Sequence, residues 1–142
     1  MKTSPELSIV IPVLNEEGSI KVLVNSIEKA LQFYSYEIIF VDDGSTDSTV
    51  VSIKSLKNSF INLIVFDSNK GQSSALAAGI NLARGTYIVT MDGDFQNDPC
   101  DIPRMVHMIS NENLDMVMGI RKNRQDPILK TFPSKIAKFI IR

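Results

Sequence analysis

One cysteine, Cys100, is all the sulfur chemistry beyond methionine that the sequence offers, which excludes an internal disulfide and any multi-cysteine zinc site. A lone thiol fits a reducing compartment. Cys100 follows Pro99 near an expected helix start and reads as a packed thiol rather than a nucleophile. No apolar run reaches the roughly 18 residues of a membrane span. The stretch from Met1 to Glu6 is short and polar before an expected strand, so no secretory leader is expected. G-x-G-x-x-G is missing after the first strand, and G-x-x-x-x-G-K-[ST] is missing throughout, which sets aside the standard dinucleotide and P-loop domains. Internal repeats and low-complexity linkers are also missing. The single histidine, His107, lies between Met105 and Met108 on an expected helix and reads as structural.

What remains is an ordinary globular composition, with 142 residues of which 44% are apolar and 22% charged. One domain of this size buries roughly 70% of its unfolded surface. The net charge of −1 hides a split. Residues 1–120 hold 8 Lys/Arg against 15 Asp/Glu, a net of −7, whereas residues 121–142 hold 7 Lys/Arg and one Asp, a net of +6. Such asymmetry signals a partner for the basic end.

Along the chain, strand and helix patterns alternate. Leu7–Val13 reads as a strand closed by Pro12, which cannot donate to a ladder. Ser19–Phe33 carries Ile20, Leu23, Val24, Ile27, Ala30 and Leu31 at helical spacing, the stripe of a helix packed on a sheet. A second strand, Tyr36–Val41, ends in Asp42-Asp43, and a helix over Thr46–Lys57 follows with Ser45 or Thr46 as its N-cap. Ile61–Phe66 is a third strand. The helix Gln72–Arg84 is rich in small residues that permit close packing, with Gly85 as its C-terminal cap. Tyr87–Met91 is a fourth strand, Asp98-Pro99 opens another helix, and Leu114–Ile120 is a fifth strand. A polar loop from Arg121 to Asp126 leads into a basic amphipathic segment running to the last residue, with Pro133 kinking it or starting its final helix. The alternation predicts a three-layer α/β domain, Rossmann-like in its first half, with parallel strands.

The chemistry gathers at strand ends. Asp92 and Asp94 follow the fourth strand one residue apart; in extended chain both side chains point the same way and can converge on one cation. Gly93 allows a tight bend and close approach of a ligand. Hard carboxylate oxygens suit Mg²⁺ or Mn²⁺, ions that commonly share a site with substrate phosphates. A D-G-D triplet is also an ordinary polar turn. Asn15-Glu16-Glu17 and Asp42-Asp43 place further acids and an amide at two other strand ends, where open α/β sheets bind ligands. So many acids would repel a bare diphosphate unless a divalent cation offset them.

Five segments, in order, resemble the family 2 glycosyltransferases, in their polyprenyl- or dolichyl-phosphate branch. They are S-I-V-I-P-V-L-N-E-E, V-D-D-G-S-T-D, N-K-G-Q-S-S-A-L-A-A-G, M-D-G-D-F-Q-N-D-P and G-I-R-K-N-R-Q-D-P. The resemblance covers Leu7 to Arg142. It implies a three-layer α/β/α GT-A fold with a mostly parallel sheet, binding a UDP- or GDP-sugar with Mg²⁺ or Mn²⁺. By position it assigns Pro12, Asn15 and Glu16 to the nucleotide pocket, Asp42 to base or ribose, and Lys70-Gly71 to the pocket border. Asp92 and Asp94 become the metal pair with Gln96 as a further ligand or sugar contact, Asp94 counting among the catalytic residues. Arg121, Arg124 and Lys135 would meet donor or acceptor phosphates. Leu14 departs from the aromatic residue that many relatives place beside the base, which leaves uracil and guanine both open.

The reaction so implied moves a sugar onto a polyprenyl phosphate. Two other readings stand beside it: transfer to a saccharide hydroxyl, which needs a general base beyond Arg142, and a silent nucleotide-sugar-binding module. The resemblance expects a cytoplasmic protein, peripheral at the inner membrane face, with no nucleic-acid partner. Residues 1–120 would form the donor-binding core and 121–142 a basic loop and amphipathic helix. That helix reads either as an ordinary packed helix with a solvated face or as one lying on an anionic membrane. The branch carries more chain beyond this point, so a truncated or minimal form is expected, its unpaired apolar surface favouring homo-oligomers.

Overall fold

A computed structural model describes residues 4–120 and 138–141 of the protein. In chain order the elements are β1 (Leu7–Val13), α1 (Ile20–Ala30), β2 (Tyr36–Asp42), α2 (Thr49–Ser55), β3 (Ile61–Val65), α3 (Gln72–Leu82) and β4 (Tyr87–Thr90). A 3-10 turn (Pro99–Asp101), α4 (Ile102–Asn111), β5 (Met116–Gly119) and β6 (Lys138–Ile141) complete it. The strands form one sheet in the order β3-β2-β1-β4-β6-β5. The pairings among β1 to β4 are parallel, and β6 runs antiparallel to both β4 and β5.

β1 is central and buried on both faces, as a run that is apolar but for Ser8 dictates. Its odd positions Leu7, Ile9, Ile11 and Val13 join Leu23 and Ile27 of α1 and Met105 and Ile109 of α4 in one core. Its even position Val10 joins Ile39, Val41 and Ala75 in a second core beneath α3. Helices therefore cover both faces, as the alternation predicts. The small residues of α3 serve close approach: a Cβ on Gly79 would fall 2.4 Å from Val10 Cγ1. Each fully buried Leu or Ile contributes about 1.5–3 kcal/mol of hydrophobic stabilisation.

β1 has its expected bounds, with Pro12 paired to Val41; β4 pairs with β1 only from Leu7 to Val10, so no ladder bond on that side needs the missing N–H. Three expectations need correction. α2 begins at Thr49 with Ser48 as N-cap, since Ser45 and Thr46 are engaged by Asn15 instead. The C-cap of α3 is Ala83, and Gly85 is needed for another reason: a Cβ there would stand 2.6 Å from the Ser8 backbone nitrogen. Finally, Lys138–Ile141 is a strand, not the end of an amphipathic helix. A short apolar run such as Phe139-Ile140-Ile141 fits either structure by periodicity, and the ladder bonds to β4 and β5 favour the extended form. The boundary drawn at residue 120 thus separates a strand from the sheet it completes. The rest of that basic segment, 121–137, lies outside the described residues.

At the amino end of the sheet, Glu37 is 2% exposed. Its carboxylate accepts from Ser8 Oγ (2.8 Å), Asn62 Nδ2 (3.1 Å), the Arg84 backbone N–H (3.0 Å) and Arg84 Nη2 (2.6 Å). Burial alone would raise its pKa, but the bonds from Arg84 and Ser8 together hold it below the ordinary carboxylate value. A depressed folded-state pKa adds stability that is present above the unfolded value of about 4.3 and is lost as pH falls through the folded value. Glu37→Ala takes the acceptor from Ser8 Oγ, Asn62 Nδ2 and the Arg84 guanidinium, so it is expected to cost about 1–3 kcal/mol at pH 7. Thermal unfolding of both chains from pH 7 to pH 3 should show that difference shrinking in acid; a constant difference would contradict this assignment.

Candidate donor site at the carboxyl rim of the sheet

Because β1, β2 and β4 are parallel, their carboxyl ends share one rim. The three acid-bearing loops expected to converge there do so. A Cβ on Gly93 would stand 2.9 Å from Val13 Cγ1, 3.5 Å from the Pro12 carbonyl oxygen and 3.7 Å from Glu16 Cγ. Only glycine lets the Asp92–Asp94 turn lie so close to the end of β1.

The β1–α1 and β2–α2 loops are laced together. Asn15 adopts φ 55°, a left-handed conformation that asparagine tolerates better than most residues. Its backbone N–H donates to Ser45 Oγ (2.9 Å), and its Oδ1 accepts from the Thr46 N–H (2.8 Å). The Glu16 N–H donates to Thr49 Oγ1 (2.8 Å), the Ser48 N–H donates to Glu17 Oε2 (2.9 Å), and Ser19 Oγ donates to Glu16 Oε2 (2.8 Å). Asp47 accepts from Thr49 Oγ1, which holds its carboxyl below the usual carboxylate range. Asn15 therefore sits at the rim, with its side chain shaping the neighbouring loop. Pro12 and Glu16 are half-buried beside it, and Leu14 is exposed.

The adjacent acids Asp42 and Asp43 divide their work. Asp43 is spent inside the protein: Oδ1 accepts from the Lys70 N–H (2.7 Å) and Oδ2 from the Gly71 N–H (3.0 Å). This ties down the loop that enters α3, whose N-cap Gly71 has φ 90°. The Lys70 ammonium lies over the Phe66 ring, 4.8 Å from its centroid. Asp42 is 1% exposed, and its Oδ2 accepts from the Ser45 N–H (3.0 Å). Its Oδ1 is buried with no hydrogen-bond partner. A buried carboxylate oxygen left this way costs several kcal/mol, which favours a donor brought by a ligand.

At the end of β4, Asp92 Oδ1 accepts from Gln72 Nε2 (3.1 Å) and Oδ2 from Asn97 Nδ2 (3.1 Å). Asp94 Oδ1 accepts from the Gln96 N–H (3.1 Å), and the Gln96 side-chain amide donates to its Oδ2. Gln96 thus lies beside Asp94, where sequence reasoning puts it. Phe95 between them has φ 62°, a tight reversal. Among the described residues no three His, Cys, Asp or Glu side chains gather into a self-sufficient metal cage. Two carboxylates and an amide oxygen are nevertheless what Mg²⁺ or Mn²⁺ takes when phosphates and water fill the remaining positions. The donor set fits an ion that arrives with a diphosphate. Arg121, Arg124 and Lys135 lie outside the described residues.

Cys100 corrects one expectation: it is exposed, not packed. The neighbouring Asp98 carboxylate raises its pKa and keeps the thiol protonated, so it remains a poor nucleophile. Sequence reasoning missed Gln72 and Asn97, the two amides that grip Asp92. Gln72 is 20 residues from Asp92 and meets it only through the fold, whereas Asn97, five residues away in a loop, carried a weak local signal.

Known proteins resemble the chain in sequence and in fold. Residues 8–141 match the family described as Glycosyl transferase family 2. The chain is 44% identical to a dodecaprenyl-phosphate galacturonate synthase of Rhizobium johnstonii, over 97% of this chain and 43% of that protein. It is 39% identical to an undecaprenyl-phosphate 4-deoxy-4-formamido-L-arabinose transferase of Yersinia pestis, over 96% of this chain and 43% of that protein. It thus spans less than half the length of these curated relatives. Among solved structures, glucosyl-3-phosphoglycerate synthase of Mycobacterium tuberculosis, in complex with Mn²⁺, UDP and phosphoglyceric acid, superposes with a TM-score of 0.65 at 25% identity, over 79% of this chain and 42% of that one. The sheet and its two helical layers are those of a GT-A glycosyltransferase fold, and the chain belongs to glycosyl transferase family 2.

Proposed function

We propose that this chain binds a UDP- or GDP-sugar at the carboxyl rim of its sheet, together with a divalent cation, and transfers the sugar to a polyprenyl phosphate. The observation that carries the donor half is the unpartnered Asp42 Oδ1, buried on the same rim as Asp92 and Asp94. A pyrimidine or purine N–H, or a ribose hydroxyl, supplies the donor that this oxygen lacks. The acceptor rests on the two relatives, whose names share a polyprenyl phosphate while differing in the sugar.

The residues divide the task. Asp42 fixes the nucleoside, and the Asn15–Thr46 lacing holds the shape of the loop beside it. Asp92 and Asp94 hold the cation, with Gln96 beside them. The cation, when bound, neutralises the diphosphate and stabilises it as a leaving group. A lipid phosphate is already anionic near neutral pH, so its oxygen attacks the anomeric carbon without a strong general base. The bond from that carbon to the diphosphate breaks, and the electron pair leaves with the nucleoside diphosphate. Arg121 and Arg124 are assigned to the phosphates, whose mutual repulsion cationic side chains offset.

No described helix is long and apolar enough to cross a membrane. The basic stretch 121–137 is assigned to the anionic inner surface of a membrane, where each cation contributes about 1 kcal/mol.

The test is transfer of labelled sugar from UDP- and GDP-sugars to undecaprenyl phosphate in detergent, with Mn²⁺ or Mg²⁺. Label should move to the lipid with the native chain and fall at least a hundredfold with Asp94→Asn. Transfer only to a carbohydrate hydroxyl, or donor binding with no transfer at all, would overturn the lipid-acceptor reading.

A further inference from the structure

The two members of the acidic pair are supported differently. Asp94 is held from within its own loop by Gln96. Asp92 is gripped from two separate parts of the fold: Asn97, buried at 5% exposure, and Gln72, the first residue of α3. Gln72 is itself located by Asp43, which takes the N–H groups of the two preceding residues, Lys70 and Gly71. Asp43 in turn adjoins Asp42. Hydrogen bonds and adjoining residues therefore link the buried Asp42, through Asp43 and the entry to α3, to the Asp92 carboxylate after β4. β3, which precedes α3, lies three strands from β4 in the sheet, so this link exists only because α3 packs back across β2 and β1.

We propose that Gln72 is a positioning residue for this site: its side-chain amide orients the Asp92 carboxylate toward the cation and joins that carboxylate to the Asp42–Asp43 loop. An amide donor on one oxygen fixes the carboxylate plane and still allows that oxygen a further partner. The assignment rests on the metal–nucleotide reading above. Gln72 is exposed and makes no part of either core, so removing its amide spares the fold while releasing Asp92 on one side.

The experiment compares native chain and Gln72→Met, a substitution that keeps length and removes the donor. Mn²⁺ binding is followed by electron paramagnetic resonance in the presence of UDP or GDP, whichever the native chain binds. Binding of the matching nucleoside, which has no phosphate, is followed by NMR, and the melting temperature is recorded. The expected result is about a tenfold loss of Mn²⁺ affinity, typical for removal of an outer-shell partner, with nucleoside affinity and melting temperature unchanged. Native Mn²⁺ affinity in Gln72→Met, beside clear binding by the native chain, would overturn the positioning role alone. A parallel fall in all three measurements would reduce Gln72 to a structural residue and also overturn it. No Mn²⁺–nucleotide binding by the native chain would overturn this role together with the reading it rests on.

Discussion

Asp42→Asn is expected to weaken nucleotide binding by about 10–100-fold while leaving the melting temperature equal to or above that of the native chain. Both signs follow from one oxygen. Asp42 Oδ2 accepts from the Ser45 N–H, so an asparagine keeps its carbonyl oxygen there and turns its NH₂ to the place of Oδ1. If Oδ1 accepts from the nucleoside as proposed, the substitution turns that acceptor into a donor, and a charge-assisted hydrogen bond worth about 1.5–3 kcal/mol is lost. In the ligand-free protein, a buried charge with an unpartnered oxygen is replaced by a neutral amide, which removes a desolvation cost. Calorimetric titration and thermal unfolding read the two effects separately. A variant that binds normally would show that Oδ1 meets no ligand group, and a large fall in melting temperature would show that Asp42 is structural. Conserving activity at the expense of stability is a common arrangement at binding sites.

The largest loss of stability is expected at Gly44. Its φ of +81° lies in the left-handed region, and a Cβ there would stand 2.8 Å from both the Asn69 nitrogen and the Ser68 carbonyl carbon. Those are backbone atoms and cannot rotate away. The conformation costs an L-residue about 1–2 kcal/mol, and overpacking against backbone adds about 1–3 kcal/mol. Gly44→Ala should therefore lose about 2–5 kcal/mol, a large share of the 5–15 kcal/mol that holds a typical domain folded. The displaced strip, Ser68-Asn69, runs directly into the Lys70 and Gly71 N–H groups held by Asp43. Urea unfolding measures the loss; a change below about 0.5 kcal/mol would mean that the two loops are not in register as described.

Much of this architecture was legible because the local signals agree with one another. β1 follows from a run that is apolar but for Ser8, and α1 from its stripe of Ile20, Leu23, Val24 and Ile27, although the helix ends at Ala30, short of the expected Phe33. The acids at three strand ends were legible for the same reason: parallel strands must deliver their ends to one rim. What escaped were features decided by distant partners. β6 owes its form to ladders with β4 and β5, which no window around Phe139 contains. Ser45 and Thr46 carry good capping side chains, yet Asn15 claims both, and the helix starts later at Thr49. Asp42 and Asp43 are chemically identical in sequence; only the fold turns one inward to the α3 loop and leaves the other with an unpartnered oxygen. Gly85 shows the converse, a glycine placed for close approach to Ser8 where its position suggested a helix cap.

Central to the account is a cation-dependent nucleoside diphosphate site built from Asp42, Asp92 and Asp94. Calorimetric titration of UDP and GDP, with and without Mn²⁺ or Mg²⁺, against the native chain and Asp94→Asn tests it most directly. The account predicts that one nucleotide binds, that the cation strengthens binding, and that Asp94→Asn removes the cation's contribution. Failure of both nucleotides to bind a folded native chain, or binding that ignores cation and substitution alike, would contradict it.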